Sequence, residues 1–234
     1  VRGRSVRGRS VKNLGDGPRN LLRRHARIRI SRRNRTAPDR IVRDHRLMEI
    51  RPASNFDDMR TLVGPRRPDA NVCWCLSYRI PSKQNLALRG PERGEFVRDL
   101  CGRKTAPGVL AYDGDDVVGW AAVAPRTDTT FARNRKIPHL DDQPVWSLWC
   151  VRVRPGFRKR GVVAPLIAGA VDFARDHGAP AIEAYPVDNG DERVNLTMAY
   201  VGTRKMFEQA GFEKAGDTTS VIDGFPRIIM RRSL

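Results

Sequence analysis

Three cations and a glycine, Arg158-Lys159-Arg160-Gly161, lie between a strand pattern and a helix pattern. The first N–H groups of a helix have no partner within it, and the helix dipole adds partial positive charge there. Gly161 lets backbone N–H groups approach a bulky ligand, because no side chain intervenes. An exposed helix end contributes only about 0.3–1 kcal/mol, whereas a micromolar ligand requires about 8 kcal/mol. The spacing therefore predicts a phosphate-binding loop that holds one part of a longer ligand.

The elements on either side of this loop must position it. Before the loop, strict alternation predicts a strand with one face made of Val145, Ser147, Trp149, Val151 and Val153. Pro155 and Gly156 end that strand. After the loop, Gly178 suits the left-handed position that closes a helix. The apolar stripe of this helix consists of Val163, Leu166, Ile167, Ala170, Val171 and Ala174.

Strand and helix patterns alternate along the rest of the chain from residue 48 onward. Asp113-Gly114-Asp115 is a hairpin signal between two strand patterns, and residues 126–143 form a long polar connection. The first predicted helix begins at Ser54 or Asn55. The other predicted helices cover residues 92–103 and 195–210, and the predicted strands cover 48–53, 108–112, 116–124, 181–187 and 225–231.

Two segments of the sequence resemble those of a known family. V-R-V-R-P-G-F-R-K-R-G-V-V, residues 151–163, resembles the acyl-CoA pyrophosphate loop of the GNAT N-acetyltransferases, whose pattern is Arg/Gln-x-x-Gly-x-Gly/Ala. Arg158 and Gly161 match this pattern, and Val163 stands where a second small residue is usual. M-F-E-Q-A-G-F, residues 206–212, resembles the family's last-helix motif. The order of elements is also similar.

The resemblance implies an α/β fold of the mixed α+β type over residues 48–234. Its centre would be a mostly antiparallel sheet with one parallel, splayed strand pair, flanked by about four helices. It also implies acetyl-CoA as co-substrate, with the pantetheine arm on the free edge of residues 151–153 like an added strand. The residues expected to contact acetyl-CoA are Val151, Arg152, Val153, Arg158, Lys159, Arg160, Gly161, Val162, Val163 and Asp188.

The implied transfer needs a neutral amine in line with the thioester carbonyl. An alkyl amine with a pKa of ~10.4 is neutral about one time in a thousand at pH 7, so a carboxylate or water chain must take its proton. Many family members place a Glu in the strand before the loop and a Tyr four residues before the Gly-Phe glycine. Here Leu148 or Trp149 and Phe207 occupy those positions, so the catalytic groups must lie elsewhere.

Glu183 and Tyr200 are therefore the catalytic candidates. A carboxylate in a half-buried strand is unusual, which favours Glu183 as general base, and the alternative is an ion pair with an arginine such as Arg152. Tyr200 could protonate the leaving sulfur, and the alternative is a packing or substrate-wall role. The further candidates are Tyr185, Asp188 and Cys150.

The resemblance also implies an acceptor pocket beneath residues 72–78. The aromatic candidates for its wall are Trp74, Tyr78, Trp149 and Tyr185, and the alternative is that they cover the core. His139 and His177 lack ligand spacing, so no metal is predicted. Reduced thiols are expected at Cys73, Cys75, Cys101 and Cys150.

Positive charge is concentrated in residues 1–47, which carry sixteen of the 44 Lys and Arg and three of the 26 Asp and Glu. This segment therefore holds +13 of the net +18. Its Arg, Gly and Ser content predicts a disordered extension, either a nucleic-acid or anionic-lipid tail or translated upstream sequence. The domain itself is predicted to span residues 48–234.

The predicted function is acetyl transfer from acetyl-CoA to a primary amine by direct attack in a ternary complex. A non-catalytic acyl-CoA sensor and a nucleic-acid-associated protein are the alternatives. Expected partners are a small-molecule or protein amine, nucleic acid weakly through residues 1–47, and a second copy in a homodimer. No apolar run reaches the ~20 residues that span a bilayer, so a cytoplasmic location is expected.

Overall fold

One seven-stranded mixed sheet, in the order β1-β2-β3-β4-β5-β7-β6, forms the centre of the protein. A computed structural model describes residues 48–67, 69–195 and 199–234. All neighbouring strands pair antiparallel except β4 and β5, which are parallel. The strands are β1 Glu49–Pro52, β2 Gly108–Asp113, β3 Asp116–Pro125, β4 Trp146–Val153, β5 Ala181–Ala184, β6 Glu213–Ile222 and β7 Phe225–Ser233. The predicted fold class is confirmed.

Helices cover both faces of this sheet. The described residues form α1 Phe56–Val63, α2 Ser82–Ala87, α3 Pro91–Cys101, α4 Val163–Asp176 and α5 Arg204–Gln209, with 3₁₀ turns at Arg126–Asp128, Thr130–Arg133 and Ala199–Val201. Helix α4 lies in the core of one face, and α1 and α3 lie in the core of the other. The predicted tail, residues 1–47, and the predicted domain boundary at residue 48 lie at or outside the edge of the described residues.

The α4 stripe is buried as its spacing predicts. Leu166, Ile167, Ala170, Val171 and Ala174 are at most 1% exposed, and Val163 is partly buried beside them. Helix α4 approaches β1 closely at Gly169, where a Cβ atom would lie 2.3 Å from Cγ2 of Ile50. Because no side chain fits there, glycine at this position allows α4 to pack closely against β1.

A β-bulge in β4 breaks the strict alternation that the sequence predicts. Val123 of β3 is paired with Leu148, but the next β3 residue, Ala122, is paired with Cys150, so Trp149 is the extra residue. Trp149 therefore packs in the α1–α3 core, while Val151 packs in the α4 core. The prediction that Trp149 shares a face with Val151 and Val153 is wrong, because a bulge reverses the facing of every residue after it.

The predicted helix over residues 195–210 is also wrong in extent. Residues 196–198 lie outside the described residues, and the segment that follows is a 3₁₀ turn and then the six-residue helix α5. Between these two, Gly202 has φ +78°, and a Cβ atom there would lie 2.7 Å from the Phe207 ring. A left-handed residue cannot continue a right-handed helix, so Gly202 divides the segment.

Candidate functional site

The parallel strands β4 and β5 separate after the pair Leu148–Ala184. Beyond that point and the bulge at Trp149, residues 150–153 of β4 remain paired with β3 on one edge. On the other edge they have no strand partner within the described residues. Residues 185–187 continue from β5 but pair elsewhere: Val187 bridges to Thr203 and to Arg227. The structure therefore has a free backbone edge along β4 that faces a wedge between the two strands.

A basic loop lies at the mouth of this wedge. Lys159 has φ +61° and Gly161 has φ +78°, while the residue before each keeps a negative φ. Such alternation turns successive N–H groups toward one side and creates an anion-binding concavity. The first turn of α4 has no side-chain cap, and a Cβ atom at Gly161 would meet no atom within 4 Å. The space above Gly161 is thus open to a ligand.

A cavity of about 280 Å³ connects this loop to α5. Five of the predicted contact residues line it, namely Val153, Lys159, Gly161, Val162 and Val163. Its other lining residues were not predicted from the sequence, and they are Phe157, Ala164, Met206, Gln209 and Ala210. Met206, Gln209 and Ala210 are spaced three and four residues apart, so the helical pattern already placed them on one face.

The other predicted contact residues do not line this cavity. Val151 and Arg152 belong to the free β4 edge, while Arg158 and Arg160 are exposed in the loop. Arg160 packs over the Phe157 ring at 5.1 Å. Asp188 lies on the facing segment, 3.3 Å from the Arg204 guanidinium, and lines a second cavity of about 580 Å³. This second cavity is bounded by acidic side chains, namely Asp188, Asp191, Glu192 and Asp223.

Glu183 is fully buried and hydrogen-bonded through both carboxylate oxygens. Oε2 accepts from Arg126 Nη1 at 2.6 Å and from the Tyr185 hydroxyl at 2.9 Å. Oε1 accepts from Arg231 Nη2 at 2.6 Å and Nε at 3.1 Å. The geometry favours the ion-pair alternative over the base, but the partners are Arg126 and Arg231 rather than Arg152. We refer to Arg126, Glu183 and Arg231 as the paired centre.

The paired centre extends in two directions. Toward solvent, Arg231 also donates to Asp141, and this hydrogen bond lowers the pKa of the Asp141 carboxyl and raises that of Arg231. Toward β4, the Tyr185 hydroxyl lies 2.9 Å from Ser147 Oγ. Burial raises the pKa of Tyr185, so its hydroxyl keeps the proton that it donates to Glu183. Tyr185, the residue that follows β5, is therefore linked to Ser147 of β4 at the point where the two strands separate.

A second buried arginine, Arg227, lies on the same sheet face. Its Nε donates to the Tyr185 carbonyl oxygen at 2.7 Å and its Nη1 to the Tyr78 hydroxyl at 3.0 Å. Tyr200 lies close to Tyr78 and Arg227 and interacts with both electrostatically. Burial is the main cause of the raised pKa of Tyr200, so Tyr200 is a protonated donor at neutral pH. We refer to Arg227, Tyr78 and Tyr200 as the tyrosine centre.

The aromatic residues predicted as pocket walls lie in different environments. Trp74 is 5% exposed and stacks on Phe56, Trp149 is 2% exposed, and Tyr185 is fully buried. These three residues pack in the core, which agrees with the alternative interpretation that the aromatic residues cover the core. Only Tyr78 is partly exposed, and it stacks on Phe131 at 4.7 Å between ring centroids.

Two of the four cysteines, Cys75 and Cys150, are in contact in the core. Cys75 and Cys150 are buried with their sulfur atoms 3.0 Å apart, and their mutual hydrogen bond lowers the pKa of Cys75 and raises that of Cys150. All four cysteines are free thiols. Within residues 48–67, 69–195 and 199–234, no cluster of His, Cys, Asp and Glu could hold a metal ion. No helix in those ranges could cross a membrane.

Comparison with known proteins gives one family and several similar structures. The family model described as the acetyltransferase (GNAT) family matches residues 77–212. A GNAT acetyltransferase from Streptococcus pneumoniae is 14% identical, with 80% of this chain and 99% of that chain covered at a TM-score of 0.47. Ard1 from Thermoplasma volcanium is 14% identical, with 80% and 97% covered at a TM-score of 0.45. No curated protein sequence matches the chain.

Proposed function

The chain belongs to the GNAT family of acetyltransferases, and on that premise we propose that it transfers an acetyl group from acetyl-CoA to a primary amine. The observation that carries this proposal is the wedge between β4 and β5, which opens directly beside a basic loop at the N-terminus of α4. A free strand edge and an anion-binding loop together match a ligand that has amides at one end and phosphates at the other.

The described residues fit such a ligand. The edge of residues 151–153 offers backbone N–H and C=O groups to the pantetheine amides, so the arm can pair like an added strand. The N–H groups near Gly161 would hold the pyrophosphate, since no atom lies within 4 Å of the Cβ position of Gly161. Arg158 and Lys159 add charge-assisted hydrogen bonds to phosphate oxygens. The apolar lining from Val153, Phe157 and Met206 would pack against the arm.

The transfer would proceed by direct attack. The neutral amine nitrogen forms a bond to the thioester carbonyl carbon, the C–S bond breaks, and the departing sulfur takes a proton. Tyr200 is the proposed donor of that proton, because its 3₁₀ turn packs against β4 and a phenol hydroxyl is protonated at neutral pH. Asp188 is the proposed acceptor of the amine proton, directly or through water, since it is a partly accessible carboxylate on the facing segment.

Calorimetric titration with acetyl-CoA tests the cofactor part of this proposal. Gly161→Asp places a carboxylate where the pyrophosphate would bind, so binding should be lost. Gly178→Asp is the matched control, because Gly178 has φ +76° and an equally open Cβ position at the opposite end of α4. Unchanged affinity in Gly161→Asp, or equal loss in both variants, would contradict the assignment of the loop.

An acyl-CoA sensor without catalysis is the second candidate function. It is favoured by Trp149 and Phe207, which occupy the positions where family members often carry Glu and Tyr, and by the full pairing of Glu183. Thiol release from acetyl-CoA across a panel of amines separates the two. Release with any amine supports the enzyme, and binding of acetyl-CoA without release supports the sensor.

A further inference from the structure

Arg227 is a buried guanidinium without a carboxylate partner. It is 1% exposed, and no Asp or Glu of the described ranges lies within ion-pair distance of it. Its Nη2 has no hydrogen-bond partner within those ranges. Burying a charge without its counter-ion is unfavourable, and a buried donor without a partner adds to that cost. A buried donor without a partner requires an explanation, and a bound anion would supply one.

The position of Arg227 places this missing anion next to the proposed reaction site. Its Nε donates to the carbonyl of Tyr185, which is the first residue after β5 leaves β4. Tyr185 in turn contacts Ser147 of β4 through its hydroxyl, so Arg227 is bound to the residue at which the two strands separate. Tyr78 and Tyr200 flank it, and both are partly exposed. Desolvation lowers the pKa of Arg227.

The hydrogen-bonding capacity of the tyrosine centre is suited to a carboxylate. Nη2 offers free donors, and the Tyr78 hydroxyl accepts from Nη1, so its own proton remains available for a neighbouring oxygen. Planar guanidinium groups bind carboxylates through two parallel N–H···O bonds. A cation here would instead be repelled.

We propose that the acceptor is an amine that also carries a carboxylate, of the amino-acid class, and that Arg227 binds this carboxylate beside the wedge. This inference rests on the proposed function. Asp188 agrees with it, because its segment pairs with residues 226–227 of β7 and its carboxylate suits the ammonium end of the same molecule. Arg227 is thus the specificity-determining residue for the acceptor, and Tyr78 supplies a second donor.

The first test measures thiol release from acetyl-CoA with L-amino acids, each compared with its own amide. The amide keeps the side chain and the amine but lacks the negative charge. The wild-type protein should prefer the acids in kcat/KM by roughly 10- to 100-fold, the loss expected for a hydrogen bond to a charged group. Arg227→Met should abolish the preference, and Arg227→Lys, which retains the charge, should keep part of it. Equal use of acids and amides by the wild type, or an undiminished preference in Arg227→Met, would overturn the inference.

The second test does not require turnover. With CoA present, N-acetyl-L-amino acids should raise the unfolding temperature of the wild type, while the corresponding N-acetyl amides should not. Arg227→Met should lose the difference, and Tyr78→Phe should reduce it. If the wild type shows no carboxylate-dependent shift, the inference fails.

The two proposals fail in distinguishable ways. Acetylation of amines that lack a carboxylate, with none of the amino acids, overturns the role of Arg227 and leaves the acetyltransferase standing. If the wild-type protein does not bind acetyl-CoA, the proposed function is overturned, since the loop and the wedge would then have no ligand.

Discussion

The paired centre and the tyrosine centre both bury an arginine on one face of the same sheet, yet they are completed differently. Arg126 is 3% exposed and has Glu183 as counter-ion. Arg227 is 1% exposed and has only a carbonyl oxygen and a phenol. The first charge is neutralised by the chain, and the second is not. The difference indicates that the paired centre serves the fold, and it supports a ligand role for the tyrosine centre.

Glu183→Gln should break the paired centre most severely. It removes the shared counter-ion of two arginines, one of them fully buried, so the unfolding free energy should fall by about 3–5 kcal/mol. Urea denaturation measures this loss. Glu213→Gln, at an exposed position of β6, is the control and should change stability little. A small loss in Glu183→Gln would mean that the pairing contributes little to the fold.

Replacing each of the two arginines by methionine should change the unfolding free energy by different amounts. Arg126→Met leaves Glu183 with Arg231 alone, so a loss of about 3 kcal/mol is expected. Arg227→Met leaves no carboxylate unpaired, so its unfolding free energy should lie within about 1 kcal/mol of the wild type. The comparison uses the same denaturation curves. Equal losses in both variants would show that Arg227 is a structural arginine like Arg126.

Tyr200→Phe should affect catalysis and leave stability largely unchanged. If Tyr200 protonates the leaving sulfur, kcat at saturating acetyl-CoA should fall about 100-fold, the lower end for general acid catalysis. Burial raises the pKa of Tyr200, so the acid form persists through neutral pH and this contribution is lost only as pH rises through that raised value. A kcat within a few-fold of the wild type would remove Tyr200 from the mechanism.

Asp141→Asn should have the smallest effect, because it removes an exposed partner of Arg231. The lowered pKa of Asp141 means that its contribution to stability is present above the unfolded-state pKa near 3.8 and is lost as pH falls through the folded-state value. The difference between wild type and Asp141→Asn should therefore vanish at low pH. A difference that persists in acid would show that this carboxylate acts by another route.

Local sequence patterns predicted the strand, the loop and the helix that form much of the candidate site. Residues 145–178 predict a strand, a basic loop and a helix, and β4 and α4 occupy those positions. The hairpin at Asp113-Gly114-Asp115 was predicted in the same way, and it joins β2 to β3. These features are local, because turn chemistry and apolar periodicity act over a few residues. The order of elements then made the fold class predictable.

The sequence also contained signals that periodicity alone does not resolve. Gly202 within the predicted last helix was such a signal, since its left-handed conformation divides that helix. The bulge at Trp149 had no comparable sign, because it depends on how β4 aligns with β3. A bulge changes the facing of a strand without changing its composition.

The sequence by itself determined the basic loop, the strand and helix that present it, and the presence of a carboxylate at Glu183. Only the tertiary structure decided which arginines would reach that carboxylate. Arg126 lies 57 residues before Glu183 and Arg231 lies 48 residues after it. The register of β7 against β5 brings Arg231 to Glu183, the turn that follows β3 brings Arg126, and Arg227 is left facing Tyr78. Partners so distant in sequence are chosen by strand pairing, which no local pattern encodes.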